Sequence, residues 1–177
     1  MANLSAQNST INFLMDVEKF SAKAYWDYKQ WSIGYGTGIM PNGQKVKQGD
    51  TVTKAQAQAM LVRDVVSRVN AVNRYVTANI NQNQFDALVS FVYNFGETAF
   101  RDSTLLDVIN ANPVNYDAIA YQFRRWIYAD GVALDGLKTR REKEIQLYKN
   151  GMVVTPVFFW LILIVIMALI IRRRRGK

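Results

Sequence analysis

Residues 18–36 read EKFSAKAYWDYKQWSIGYG, and the change of period inside this stretch decides the fold class. Ahead of it, Ile11, Leu14 and Met15 recur at i, i+3 and i+4, one face of a helix that Thr10 can cap. Glu18 is the next position on that apolar stripe, at i+7, which places a carboxylate on the core side of a helix end. From Ser21 onward the helical spacing is lost. Tyr25, Trp26, Tyr28, Trp31, Ile33 and Tyr35 supply strand-forming side chains, Gly34, Gly36 and Gly38 punctuate them, and Pro41-Asn42-Gly43 marks a tight turn. The pattern predicts a small antiparallel sheet of two or three short strands over residues 21–46.

Helical spacing returns downstream. Thr53 and Gln56 form a capping-box pattern, followed by Met60, Leu61, Val65 and Val69. A further helix is expected from about Gln82, with Phe85, Leu88, Val89 and Val92 on one face, Gly96 as its stop and the Asn-rich residues 79–84 as its entry loop. More helices are expected near residues 103–110, 115–128 and 138–149. There is no internal repeat. The class is therefore α+β, mostly helical, with a small N-terminal antiparallel sheet.

The 177 residues contain neither cysteine nor histidine. That excludes a Ser-His-Asp or Cys-His nucleophilic centre, a His- or Cys-ligated zinc, haem, an iron–sulfur cluster and a disulfide. Catalysis, if present, runs on carboxylates, hydroxyls, amides, Lys, Arg or Tyr, and no metal or organic cofactor is expected. The net charge of +8 is concentrated at one end: five of the 22 basic residues (Arg172, Arg173, Arg174, Arg175 and Lys177) fall in the last six positions. The first 171 residues are only mildly basic, unlike a nucleic-acid binder with a basic face.

Before that cluster lies an uncharged run that begins at Met152 and ends at Ile171, MVVTPVFFWLILIVIMALII. Twenty helical residues span roughly 30 Å, the hydrocarbon thickness of a bilayer. The expectation is a folded domain over 1–150, a single transmembrane helix over 151–171 and a basic tail over 172–177. No cleavable leader is visible in MANLSAQNSTINF. The positive-inside rule puts Arg172–Arg175 on the cytoplasmic side and the folded domain across a host inner membrane, facing the periplasm. Alternatively, the arginines hold anionic lipid headgroups, or the helix sits in the membrane of a lipid-containing virion with its tail toward the genome.

The chemistry is expected from Glu18 and Asp27. A helix end and an adjacent strand can hold two carboxylates across a cleft, one semi-buried and protonated as general acid, the other solvated and holding a water. That is the division of labour in glycoside hydrolysis. Glu18-Lys19-Phe20, eight residues to Asp27, then Ser32-Ile33-Gly34-Tyr35-Gly36 closely resembles the phage-type lysozymes, the endolysin family. The resemblance continues through Ser90-Phe91-Val92-Tyr93-Asn94-Phe95-Gly96-Glu97-Thr98, Ser103-Thr104-Leu105-Leu106, Arg124-Arg125-Trp126 and Gly136-Leu137-Lys138-Thr139-Arg140-Arg141-Glu142. It implies a lysozyme-like fold and hydrolysis of the β-1,4 bond between N-acetylmuramic acid and N-acetylglucosamine in peptidoglycan. It also implies Glu18 as general acid and Asp27 as the residue positioning the attacking water.

Two positions depart from the family pattern. The segment between Asp27 and Ile33 is one residue shorter than usual, so Ser32 takes the catalytic hydroxyl position, with Thr37, where a His is common, as the alternative. Asn94, Tyr35 and Trp31 are candidate substrate-binding residues, with Trp26 a further stacking candidate; core packing is the competing use of the aromatic ones. Of Arg124, Arg125, Arg140 and Arg141, at least one is expected to pair with Glu18 or another buried acid. The combined expectation is a membrane-tethered muramidase with a monomeric catalytic domain, acting in phage lysis or cell entry. Its alternatives are a lytic transglycosylase giving 1,6-anhydro products, a non-catalytic wall-binding protein of a virion, and a pore-forming role for the apolar segment.

Overall fold

The computed structural model describes residues 3–27 and 30–150. The expected transmembrane run from Met152 to Ile171 and the basic cluster Arg172–Arg175 lie outside the described residues. Among the described residues, no helix is long and apolar enough to cross a membrane.

Helix α1 (Asn8–Glu18) starts one turn earlier than Thr10 suggested. Gln7 is the N-cap and Thr10 the third helical residue; its Oγ1 accepts from the Gln7 amide at 2.9 Å and donates to Asp86 at 2.7 Å. Thr10 thus serves the helix start from inside it, tied to a buried carboxylate. Lys19, at φ 60°, ends the helix and turns the chain into β1 (Ser21–Asp27), which pairs antiparallel with β2 (Gln30–Gly34). The register is Tyr25 to Ser32, Trp26 to Trp31 and Asp27 to Gln30, with an irregularity between Ser21 and Tyr25. Isolated bridges, Ile33 to Thr37, Ile39 to Lys45 and Lys23 to Thr51, extend the sheet region toward the next helix.

That helix, α2 (Lys54–Tyr75), is capped as its sequence indicates: Thr53 Oγ1 accepts from the Gln56 amide while the Gln56 side chain accepts from the Thr53 amide. Met60, Leu61 and Val65 face the core. Gly34 fits it against the sheet for two reasons. Its φ is +68°, and a Cβ there would stand 2.9 Å from the Ala57 Cβ.

Helix α3 (Gln82–Phe95) carries nine consecutive buried residues from Gln84 to Val92, and it packs against α1, α2 and α7 (Asp135–Asn150). A helix buried on every side is the centre of the core. Around it stand α4 (Glu97–Arg101), α5 (Thr104–Ala111) and α6 (Tyr116–Arg124). Phe91 meets Phe95, Phe100, Phe123 and Trp126 at ring-centroid distances of 5.2–6.1 Å. The helix expected over 115–128 stops at Arg124. Tyr128–Ala129 (β3) and Val132–Ala133 (β4) form a second hairpin, turned by Asp130 at φ 48° and Gly131 at φ 78°. An Asp-Gly pair with both φ positive is the tight hairpin turn. This hairpin and α4 are the elements that the periodicity did not indicate.

Candidate active site

The end of α1, the β1–β2 hairpin and the start of the chain's path to α2 surround a cleft of about 710 Å³, closed on its far side by α2 and α3. Its wall includes Glu18, Tyr25, Trp26, Asp27, Trp31 and Thr37, with Asn94 from α3 and Asp64 and Arg68 from α2. Glu18 comes from the C-terminal end of α1 and Asp27 from the last position of β1. The spacing of nine positions thus brings both carboxylates to one cavity.

Their surroundings differ. The Glu18 side chain is 16% exposed, and its Oε1 lies 2.7 Å from Arg140 Nη1. Burial raises its pKa above the ordinary value of 4.5; the Arg140 guanidinium opposes the shift, and the negative charges of Glu144 and Asp27 reinforce it. Its Oε2 sits beside Gly36, where a Cβ would approach within 3.4 Å and where φ is +87°. Asp27 is exposed.

Behind Glu18 the polar side chains are continuous. Arg140 Nε donates to Glu144 Oε1 at 3.1 Å, and Nη2 donates to the Ser90 carbonyl at 3.1 Å and to Ser90 Oγ at 3.3 Å. Ser90 Oγ in turn donates to Glu144 Oε1 at 2.6 Å. Arg141 pairs with both Glu144 oxygens at 2.8 Å, donates to Asn94 Oδ1 at 3.2 Å, and lies over the rings of Phe91 and Phe95. Burial pushes the Arg141 guanidinium down to about 10. The expectation that an arginine pairs with Glu18 or another buried acid is met by both Arg140 and Arg141. Arg124 instead pairs with Glu142 on the surface.

The two hydroxyl candidates are placed differently. Sheet register puts Tyr25, Asp27, Gln30 and Ser32 on one face, since cross-strand partners and i, i+2 neighbours point the same way. Ser32 is thus one row deeper than Asp27, fully buried, with no hydrogen-bond partner for Oγ among the described residues. Thr37 is part of the cleft wall, but its hydroxyl is committed: it donates to Asp64 Oδ2 and accepts from Arg63 at 3.2 Å. Arg63 also donates to the carbonyls of Ile39 and Met40. Together these contacts fasten the chain after β2 to α2.

Of the aromatic candidates, Trp31 lines the cleft and packs edge-to-face on Trp26, ring centroids 5.7 Å apart. Tyr35 does not reach the cleft wall. It is 3% exposed, its ring packs on Phe20, and its carbonyl accepts from Tyr93 Oη at 3.0 Å. The packing use of Tyr35 therefore prevails over stacking on a ligand. Asn94 is in the wall and joined to Arg141. The sequence reading did not single out Lys45, Asp64, Arg68 or Tyr93, which complete the wall, nor Glu144 behind it. Asp64, Arg68, Tyr93 and Glu144 are brought here from distant positions by α2, α3 and α7, and Lys45 comes from the segment between β2 and α2.

A helix-terminal glutamate and a hairpin aspartate across one cleft, on a helical body built around a buried central helix, define the lysozyme-like class. The phage lysozyme family matches residues 15–144, and the chain belongs to that family. The endolysin of Bacillus phage PZA is 38% identical over 144 residues, covering 80% of this chain and 54% of that protein. The chain spans a little over half the length of the first curated relatives it matches. Among solved structures, the endolysin from Escherichia coli O157:H7 phage FAHEc1 superposes with a TM-score of 0.75 at 35% identity, covering 83% of this chain and 94% of that one. The muramidase domain of SpmX from Asticaccaulis excentricus gives 0.72 at 30% identity, covering 86% and 99%.

Proposed function

We propose that the protein is a peptidoglycan muramidase that cleaves the β-1,4 bond between N-acetylmuramic acid and N-acetylglucosamine. The observation that carries this reading is the asymmetry of Glu18 and Asp27 on one cleft: a semi-buried carboxyl with raised pKa faces a solvated one. Family membership and the endolysin relatives support it.

Glu18 protonates the leaving glycosidic oxygen from Oε2, while Oε1 remains with Arg140. Asp27 accepts a proton from the attacking water and orients it, and proton return to Glu18 restores the starting state. Ser32 lies on the same sheet face as Asp27 but is fully buried and not part of the cleft wall, whereas Thr37 is part of it and braces it through Asp64. Trp31 and Asn94 contact the sugar chain. Products are analysed by mass spectrometry of purified peptidoglycan digested by the full chain, with Glu18→Gln alongside. Reducing-end muramic acid that disappears in the variant supports hydrolysis. Anhydro-muramic ends make the enzyme a lytic transglycosylase, and intact wall with folded protein leaves wall binding as the better account.

The apolar run from Met152 to Ile171, followed by four arginines, supports a membrane tether that confines the muramidase to wall near its bilayer. The host inner membrane, with the catalytic domain on the periplasmic side, fits the positive-inside rule. Carbonate-resistant membrane association, lost on deletion of 152–177, is the expected outcome; a soluble full chain overturns the tether.

A further inference from the structure

The arrangement behind Glu18 contains more charge than is needed to hold one carboxylate. Two guanidiniums, Arg140 and Arg141, meet a single buried carboxylate, Glu144, which with Arg141 has no exposed surface. Each edge of Arg140 has a separate partner: Nη1 faces Glu18, Nη2 holds Ser90, and Nε holds Glu144. A guanidinium free to turn would offer Glu18 the two-pronged contact that arginine and carboxylate prefer. Here two of its three nitrogens are occupied from behind.

We propose that Glu144 is a positioning residue for Glu18, acting through Arg140. Its carboxylate holds the guanidinium so that it meets Glu18 through one nitrogen, and it cancels one of the two positive charges behind the acid. Oε2 is thereby left at the cleft wall as the proton-donating atom. The inference rests on the muramidase reading for its catalytic meaning, but its electrostatics stand on the network alone.

The charged and titratable groups around Glu18 make the sign definite. Tyr25 and Asp27 face it from β1 and Tyr93 from α3; Arg140, Arg141 and Glu144 face it from α7, and Asp64, Arg68 and Lys45 line the same cleft. Of these, only the α7 triad changes when Glu144 or Arg141 is replaced. Glu144→Gln keeps the shape and removes a negative charge, so the field at Glu18 becomes more positive and the ionised acid is favoured. Arg141→Met removes a positive charge and offers Phe91 and Phe95 a thioether in its place, so the protonated acid is favoured. A merely structural role for the triad would move both variants in the same direction.

The test uses the full chain in detergent micelles with 13C-carboxyl glutamate, whose four resonances (Glu18, Glu97, Glu142 and Glu144) are assigned by substitution. The expected result is a Glu18 titration midpoint lower by about one pH unit in Glu144→Gln and higher in Arg141→Met. The alkaline limb of kcat/KM on peptidoglycan is expected to move the same way in each. If Glu144→Gln does not fold, the upward shift in Arg141→Met decides. Midpoints that stay put, or move together, overturn the proposal even if the wall is cleaved. Opposite shifts in a protein that leaves the wall intact uphold the positioning role and sink the muramidase reading instead.

Discussion

Glu18 and Asp27 stand on one cleft, yet the first is backed by Arg140, Ser90, Glu144 and Arg141 and the second ends an exposed hairpin strand. The helical wall is buried, and its charged side chains are tied together by the Arg140 and Arg141 ion pairs to Glu18 and Glu144. The sheet wall is small and more exposed, with Tyr25, Trp26 and Asp27 of β1 and Gln30 and Trp31 of β2 all lining the cleft. The difference shows how one fold can give two carboxyl groups on one cleft different surroundings. Burial raises the Glu18 pKa, and the shared Arg140 guanidinium limits how far, while Asp27 stands exposed at the strand end. Breaking the helical wall is therefore expected to cost stability and proton donation together, whereas changes on the sheet wall mainly cost substrate contact.

The largest expected effect is on Glu18 itself. Glu18→Gln is expected to lower turnover by about 10²–10⁴-fold, the usual contribution of a positioned proton donor. Stability is expected to move the other way. Because folding raises the Glu18 pKa, the folded state binds its proton more tightly than the unfolded chain, so ionisation costs stability. That cost is absent below the ordinary value of 4.5, grows as pH rises through it, and is complete above the folded pKa. Thermal melts should find Glu18→Gln at least as stable as the parent at pH 7, with the difference closing in acid. A lower Tm for the variant at pH 7 would mean that the Arg140 ion pair outweighs burial.

Arg140→Met ranks next. It strips Glu18 and Glu144 of a shared partner, and unpairing buried charge costs about 3 kcal/mol. Denaturant midpoints measure it, and a loss below about 1 kcal/mol would make the helical wall no more than a surface ion pair.

The two glycines at the hinge of the walls separate stability from rate. Gly34→Ala forces a Cβ to within 2.9 Å of Ala57 in a left-handed backbone, and about 2 kcal/mol of destabilisation is expected. Gly36→Ala shares the backbone cost, about 1 kcal/mol, but its Cβ meets Glu18 Oε2 rather than the core. Its loss in kcat is expected to exceed that of Gly34→Ala in folded protein; equal losses would place Oε2 away from the reacting bond.

Legibility follows the same division. The cap at Thr53 and Gln56, the stop at Gly96 and the pairing of Glu18 with Asp27 are local, and each could be read from a few adjacent residues. The sheet wall is nearly all contained in residues 18–37. The helical wall is only partly so: Arg140 and Glu144 are i, i+4 neighbours within α7, but Ser90 joins them only when α7 packs on α3 and Glu18 only through the tertiary fold, so the sequence indicates an arginine partner without saying which. The Asp130-Gly131 hairpin carried a recognisable turn pair, but its strands are two residues each and the preceding helical spacing masked it. Tyr35 reads as an aromatic beside the site, and only its contacts with Phe20 and Tyr93 reveal it as core.

The smallest expected effect belongs to the rim. Trp26 is 59% exposed and its ring rests edge-on against Trp31. Truncation to alanine gives up one such contact and little buried area, so about 0.5 kcal/mol of stability is expected to be lost. If the indole stacks on a sugar ring, Trp26→Ala raises KM for a soluble muropeptide oligomer while kcat holds, because uniform binding is lost and the proton donor is untouched. A fall in kcat at constant KM would tie Trp26 to the transition state instead. The two walls would then share the chemistry, contrary to the division of roles that their burial suggests.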